Sequence, residues 1–361
     1  MDLALELAAR GAGRTSPNPM VGAVLVKNGE MIGQGWHRQC GGLHAEREAL
    51  ASCAADPAGA TMYVTLEPCC HQGRQPPCTE AILAAGIARV VVGSDDPNPL
   101  VAGRGLSILR AHGVQVETGV RKEACDALNR VFFHYIRTKR PYVILKYAMT
   151  LDGKTATRTG ASRWITGEAA RRRVHQDRCR YAAILVGIGT ALADDPLLTC
   201  RAGVGHNPLR VVCDSALRLA LTSNLVKTAR EVPTVVAAAQ TEPEKKAALE
   251  AAGCRVWSLP GADGRVNLPA LLDRLGAEEI DSLVVEGGAA MAGAFLDAGL
   301  VQRVQAYIAP KLFGGAAAPS PLGGLGVSLP AEALRLSSLT AVPMGDDILL
   351  EGEVDAACLQ D

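Results

Sequence analysis

Two short stretches of the 361-residue chain hold residue types that can do chemistry together. One is His44-Ala45-Glu46; the other is Glu67-Pro68-Cys69-Cys70-His71, running on to Pro76-Pro77-Cys78. Between them they offer an imidazole, two thiolates and a spare carboxylate. That set suits a catalytic zinc ion. With His44, Cys69 and Cys78 as ligands, the fourth tetrahedral position is left to water, whose pKa the metal lowers toward neutrality. Glu46 is then placed to move protons as general acid and base.

The order H-x-E, then P-C, then a second cysteine matches the signature of zinc deaminases, in which the glutamate is not a ligand. The spacing departs from the usual form, because eight residues stand between Cys69 and Cys78. A zinc site tolerates the longer spacer if both sulfurs lie near a helix start, where the positive dipole end favours thiolate. Pro76 and Pro77 mark such a start, and Thr79 to Ala85 reads as helical. His44 likewise opens a helix, with Ala45, Ala49, Leu50 and Cys53 as its apolar stripe. The competing reading is a structural zinc with four protein ligands, for which Cys70 or His71 supplies the fourth.

Around these pieces the chain reads as alternating helices and strands, hence a layered α/β protein of two domains. A first helix with Leu3, Leu5 and Leu7 precedes a Ser16-Pro17-Asn18-Pro19 loop, a strand at Val21 to Val26 and an Asn28-Gly29 hairpin returning through Met31 to Gln34. Strands follow at Thr61 to Thr65, Arg89 to Gly93 and Val114 to Glu117, with helices at Leu106 to Ala111 and Lys122 to Ile136. The Asp95-Asp96-Pro97-Asn98-Pro99 loop sits at a carboxyl strand end, where ligand loops are expected. Arg137-Thr138-Lys139-Arg140-Pro141 is a domain boundary by composition. Beyond it come strands at Tyr142 to Tyr147, Ala182 to Val186, Leu209 to Cys213, Thr234 to Ala238, Arg255 to Leu259, Ser282 to Val285, Gln302 to Ile308 and Ile348 to Gly352. Gly167 to Arg180 reads as a helix. Gly187-Ile188-Gly189-Thr190 only mimics a dinucleotide fingerprint, since Leu192 stands where the third glycine belongs. Glu286-Gly287-Gly288 turns a strand end into a helix, where backbone N–H groups can approach a phosphate.

Composition narrows the function classes. Lysines and arginines balance aspartates and glutamates to a formal net charge of zero, which argues against a nucleic-acid binder. No apolar run is long enough to cross a bilayer. The 11 cysteines are odd in number and scattered, with no secretory segment ahead of them, which reads as a reducing cytoplasm. Cys40, Cys53, Cys125, Cys179, Cys200, Cys213, Cys254 and Cys358 are then small apolar residues or free thiols.

Taken together, these motifs resemble the bifunctional deaminase/reductase family of riboflavin biosynthesis, over nearly the whole chain. Its deaminase half is matched by Ser16-Pro17-Asn18-Pro19, by His44-Ala45-Glu46 and by Thr65-Leu66-Glu67-Pro68-Cys69-Cys70-His71-Gln72-Gly73-Arg74 onward to Cys78. The long cysteine spacer is the family's own form, and Cys70 stands where it carries serine. Its reductase half is matched by Lys146 to Gly153, Ser162 to Thr166, Gly189 to Pro196 and Val285 to Gly288. The resemblance implies a cytidine-deaminase-like three-layer domain over 1–138 and a dihydrofolate-reductase-like α/β domain over 139–361. It implies one Zn2+ per chain and NADPH, the latter met by Ala148, Trp164, Thr190, Asp194, Ser215 and the run Gly288, Ala289, Ala290, Met291, Ala292, Gly293 and Ala294. Ser162, Arg178, Leu198, Arg201 and Glu286 would hold a phosphorylated pyrimidine substrate, with arginine forks suited to its phosphate. Asn18, His71, Asp96 and Asn98 are candidates for orienting it in the deaminase half, and Lys146 for polarising the carbon that is reduced. A cytoplasmic homo-oligomer is expected. A transfer-RNA deaminase and a non-catalytic scaffold are the competing readings; the first has the short cysteine spacer, and the second has no use for Glu46.

Overall fold

The hairpin forms at the expected Asn28-Gly29, where both residues have positive φ (53° and 83°) as a tight two-residue turn requires. The computed structural model describes residues 1–73, 75–201 and 205–355; Arg74 and Cys358 lie outside them. The chain divides into two compact units, Met1–Lys139 and Arg140–Asp361.

The first unit runs α1 (Asp2–Ala9), β1 (Gly22–Lys27), β2 (Glu30–Trp36), α2 (Ala45–Ala51), β3 (Thr61–Leu66), α3 (Cys78–Ala84), β4 (Arg89–Ser94), α4 (Arg104–Ala111), β5 (Gln115–Glu117), α5 (Lys122–Leu128) and α6 (Arg130–Thr138). Its sheet has the order β2-β1-β3-β4-β5, antiparallel from β2 to β3 and parallel from β3 to β5. Alternation along β1 makes three layers. Ala23 and Leu25 pack with Ala45 and Ala49 of α2, while Val24 packs with Ala4 and Leu7 of α1. The first helix therefore buries Ala4, Leu7 and Ala8, a helical stripe, and leaves Leu3 exposed. The single helix expected over Lys122 to Ile136 is two. Asn129 interrupts it, because its side-chain amide is taken up by the Met20 backbone, accepting from the N–H at 2.8 Å and donating to the carbonyl at 2.9 Å.

The second unit runs β6 (Tyr142–Thr150), α7 (Glu168–Arg180), β7 (Ala183–Gly187), α8 (Ile188–Asp194), β8 (Leu209–Cys213), α9 (Asn224–Lys227), β9 (Thr234–Ala238), α10 (Pro243–Ala251), β10 (Arg255–Ser258), α11 (Leu268–Ala277), β11 (Ser282–Val285), α12 (Ala289–Asp297), β12 (Arg303–Ala309), β13 (Leu336–Met344) and β14 (Asp347–Val354). Its sheet has the order β10-β9-β8-β7-β11-β6-β12-β14-β13. All neighbours from β10 to β12 are parallel, and the last two strands are antiparallel. Such strands are buried on both faces and read as continuous apolar runs. One face packs Leu185, Val211 and Val285 against α11 and α12; the other packs Ile184, Val186 and Val212 against α8, α9 and α10.

Two expectations for this unit are corrected. Cys179 and Cys200 are not free thiols but form a disulfide, with their Cα atoms 4.8 Å apart. Strand β13 was not anticipated, because Ser337, Ser338 and Pro343 interrupt its apolar residues and most of it is exposed. Among the described residues no helix is long and apolar enough to cross a membrane.

Candidate functional site

His44 is the N-cap of α2 and Cys78 the first residue of α3, so both project from helix starts. Cys69 lies in the loop between β3 and α3. The His44 Nδ1 is 3.4 Å from each of the Cys69 and Cys78 sulfurs, and the three donor atoms all lie within 4.8 Å of one another. The Cys78 backbone N–H donates to Cys69 Sγ at 3.4 Å, so the helix start serves one ligand while carrying the other. Cys70 is turned away, its thiol toward the Leu100 carbonyl at 3.8 Å. An N,S,S set of this size fits zinc, and three ligands leave a position open.

The charges of the cluster are interlocked. The hydrogen bond from Cys78 draws the Cys69 thiol down to about 4, against desolvation and with help from His44. The same bond, with burial, pushes the Cys78 thiol up. His44 is raised by its contact with Cys69, although burial opposes it. Burial lifts the Glu46 carboxyl to about 7, and the neighbouring Cys69 sulfur adds to this. Glu46 is buried at the first turn of α2 beside both sulfurs.

Several residues fix this cluster that the sequence reading did not single out. The Asn18 amide donates to His37 Nε2 at 3.2 Å, and His37 Nδ1 donates to the Leu43 carbonyl at 2.9 Å; together these contacts require the neutral tautomer. Burial lowers the His37 pKa accordingly. Its ring meets the His44 ring edge-on at 5.5 Å, so the expected substrate residue Asn18 is tied to the candidate ligand His44 through His37. Arg47 donates to the Pro77 carbonyl at 2.9 Å, linking the start of α2 to the residue before Cys78. Glu67 is buried and accepts backbone N–H bonds from Gly103 (3.0 Å) and Gly105 (3.1 Å), with longer ones from Asp96 and Leu106 (3.4 Å each). That holds the loop of Asp96 and Asn98 against the ligand loop. Asp96 accepts from the Asn98 N–H at 2.8 Å. Burial raises its carboxyl to about 6 against that bond, with Glu67 and Cys69 adding to the rise. His71 keeps a buried Nδ1 that has no hydrogen-bond partner among the described residues.

In the second unit, the expected residues gather at the carboxyl ends of adjacent parallel strands, where open α/β sheets bind ligands. Ser215 follows β8, Thr190 and Asp194 lie on the helix after β7, Glu286 and Gly288 follow β11, and Lys146 and Ala148 lie on β6. A cleft of about 890 Å³ opens there, lined among others by Lys146, Ala148, Ser162, Trp164, Arg178, Asp194, Leu198 and Arg201. Trp164 is 64% exposed, with the Arg171 guanidinium 4.7 Å from its ring centroid. Along α12, Gly288 is the N-cap and sits beside Thr190. Ala292 lies in the core, and a Cβ on Gly293 would meet the Gly323 carbonyl at 2.4 Å. Met291 and Ala294 pack partly buried against the same core.

The charged heart of the cleft differs from the expectation for Arg178. Its fork is occupied by Glu286, with Nε to Oε1 at 3.1 Å and Nη2 to Oε2 at 2.8 Å. Lys146 Nζ stands 3.9 Å from the same carboxylate and 5.6 Å from the Tyr307 ring centroid. Burial pushes the Lys146 ammonium down, Glu286 pulls it up and Arg178 lowers it further, for a net fall. His175, between Arg178 and Arg201 in charge terms, is lowered by burial and by both arginines.

The sequence compares with known proteins over both units. A family model described as the RibD C-terminal domain matches residues 141–350. A model for the cytidine and deoxycytidylate deaminase zinc-binding region matches residues 1–94. The riboflavin biosynthesis protein RibD of Actinobacillus pleuropneumoniae is 51% identical over 351 residues, covering 97% of this chain and 93% of that one. That of Bacillus amyloliquefaciens is 43% identical over 351 residues, covering 97% and 94%. Among solved structures, a RibD of Acinetobacter baumannii matches with a TM-score of 0.87 at 37% identity, covering 98% of this chain and 97% of that one. The Thermotoga maritima diaminohydroxyphosphoribosylaminopyrimidine deaminase/5-amino-6-(5-phosphoribosylamino)uracil reductase matches with a TM-score of 0.85 at 37% identity, over the same shares. The two units accordingly have the expected cytidine-deaminase-like and dihydrofolate-reductase-like folds. The chain belongs to the RibD family of riboflavin biosynthesis proteins, enzymes that combine a deaminase with a reductase.

Proposed function

We propose that the chain deaminates 2,5-diamino-6-(5-phosphoribosylamino)pyrimidin-4-one hydrolytically in residues 1–138 and then reduces the ribosyl side chain to ribityl in residues 139–361. The observation that carries this reading is the convergence of His44, Cys69 and Cys78 beside the buried Glu46. The Thermotoga maritima relative is named for both of these activities.

In the first site, His44, Cys69 and Cys78 hold a zinc ion. Zinc, when bound, supplies Lewis acidity and a nucleophile at neutral pH. Glu46 takes a proton on its carboxylate and returns it to the leaving amine, so ammonia departs neutral. Asn18, His71, Asp96 and Asn98 orient the pyrimidine and its phosphate, with Asp96 and Asn98 held in place by Glu67. The buried His71 Nδ1, which has no partner among the described residues, supports its part in this.

In the second site, NADPH supplies the hydride. Ala148, Trp164, Thr190, Asp194, Ser215 and the run Gly288 to Ala294 at the start of α12 receive it. Arg218, three residues beyond Ser215, with an exposed side chain 4.0 Å from Asp214, meets its extra phosphate. Ser162, Arg178, Leu198, Arg201 and Glu286 hold the substrate. Arg178, already forked on Glu286, orients that carboxylate, while Arg201 meets the phosphate. Lys146, lowered in pKa within the cleft, polarises or protonates the acceptor.

The enzyme acts on a small phosphorylated pyrimidine in the cytoplasm, not on nucleic acid or at a membrane. It works as a homo-oligomer, a reading supported by the exposed apolar side chains of Leu325, Val327, Leu329, Leu336 and Leu339. The test is a coupled assay on the zinc-loaded protein, following ammonia release and NADPH oxidation together. Ammonia appearing first and NADPH consumption following supports the reading; neither signal overturns it.

A further inference from the structure

The segment from Asp195 to Arg201 carries two of the proposed substrate residues, and its two halves are held differently. Its first half is tied into the fold by buried or paired groups. Asp195 accepts from the Asn224 N–H at 2.8 Å and side-chain amide at 2.9 Å, and the Leu197 carbonyl accepts from the fully buried Arg210 at 3.0 Å. Leu198 itself is buried.

Beyond Leu198 the holding is lighter. Thr199 has a backbone hydrogen bond with the His175 ring, and the Cys200 N–H donates to Asn207 Oδ1 at 2.9 Å. Hydrogen bonds of this kind exchange protein for water partners and contribute little net hold each. Among the described residues Gly205 also lies close against the Cys179 backbone, where an added Cβ would meet the Cys179 carbonyl at 2.3 Å, and the covalent tether is the Cys179–Cys200 disulfide. Cys179 lies on α7 directly after Arg178, and Cys200 directly before Arg201. One covalent bond thus joins the two arginine-bearing arms of the cleft.

We infer that the Cys179–Cys200 pair is a redox-responsive positioning device for the reductase site: oxidised, it holds Arg201 against the arm that bears Arg178, and reduced, it lets that arm loosen. The inference rests on reading Arg201 as a substrate-phosphate residue. Disulfides in reducing compartments are characteristically reversible and sensing rather than structural. Cys179 is buried and Cys200 only partly so, so an attacking thiolate reaches the Cys200 sulfur. A dithiol attacks there, the S–S bond breaks, and Cys179 leaves as thiolate and takes up a proton. The second thiol of the reductant then attacks the mixed disulfide and releases Cys200. Two electrons and two protons pass from the dithiol to the pair, and the dithiol becomes a disulfide.

The test uses the full chain, poised with oxidised or reduced dithiothreitol and supplied with the deaminated substrate and NADPH, so that the zinc site is not called upon. Alkylation and mass measurement of the denatured chain must count two thiols fewer after oxidation; equal counts overturn the inference. Reduction is expected to raise KM for the substrate by about fivefold with kcat little changed, the mark of lost ground-state binding. Cys200→Ala is expected to show the reduced enzyme's KM under both conditions. Equal KM in the two redox states, or a Cys200→Ala variant that behaves like the oxidised enzyme, overturns the device. Arg201→Ala separates this from failure of the underlying reading. If that variant raises KM while redox state does not, the disulfide is a passive staple; if it leaves KM unchanged, the phosphate role falls and the device with it.

Discussion

Arg178 and Glu286 face each other as a two-point fork, Nε to Oε1 and Nη2 to Oε2, with both side chains nearly out of solvent. Burial alone would push the Glu286 carboxyl up, but Arg178 and then Lys146 outweigh it and bring it to about 2. The folded value is below the ordinary 4.5, so this group contributes stability that is fully present above that value and is lost as pH falls through about 2. Thermal unfolding of the second unit followed from neutral pH downward is expected to show this acid loss. Glu286→Gln should flatten that part of the profile and lower stability at neutral pH by about 3 kcal/mol, because Arg178 and Lys146 are left buried without their counter-charge.

Glu46→Gln keeps the shape of the first site and removes its proton carrier. Zinc content by metal analysis and NADPH oxidation with deaminated substrate are expected to stay at wild-type levels. Ammonia release should fall by about three orders of magnitude. Equal loss of both activities would contradict two independent sites.

Cys78→Ser replaces the proposed ligand at the first position of α3. Metal is expected to be lost and the first unit to melt earlier, by several kcal/mol, since metal binding contributes to folding. Unchanged metal content would remove Cys78 from the ligand set.

Arg210→Met tests a residue inside the sheet. The guanidinium donates to the carbonyls of Leu197, Leu225 and Val232 and to the Thr228 hydroxyl, at 2.8 to 3.1 Å. Burial, its main influence, lowers its pKa to about 10. Losing four hydrogen bonds in the interior, of which the Thr234 hydroxyl can replace only part at the Val232 and Leu225 carbonyls, is expected to destabilise the second unit by about 3 kcal/mol, read from chemical unfolding.

The cluster of His44, Cys69, Cys78 and Glu46 is legible in the sequence because its residue types are scarce and their order is constrained by chemistry. What supports them is not, since it depends on atoms that only folding brings together. His37 reads as any histidine until its ring lies between Asn18 and Leu43. Arg210 stands in an apolar strand with nothing nearby to reveal four acceptors from other segments. Cys179 and Cys200 are 21 residues apart, and their pairing depends on how α7 meets the cleft loop. The break at Asn129 escapes a periodicity argument because a tertiary contact with Met20 decides it. The parallel strands, by contrast, announce themselves through continuous apolar runs.

Glu67 lies two positions before Cys69, and its carboxylate gathers N–H groups from Asp96, Gly103, Gly105 and Leu106. The fit is close enough that a Cβ on Gly105 would meet the Pro68 carbonyl at 2.2 Å. The connection from β4 to α4 is therefore not a free surface loop whose length can drift. An insertion or deletion between Asp96 and Gly105 would be felt first in the placing of Cys69, well before it altered the outline of the fold.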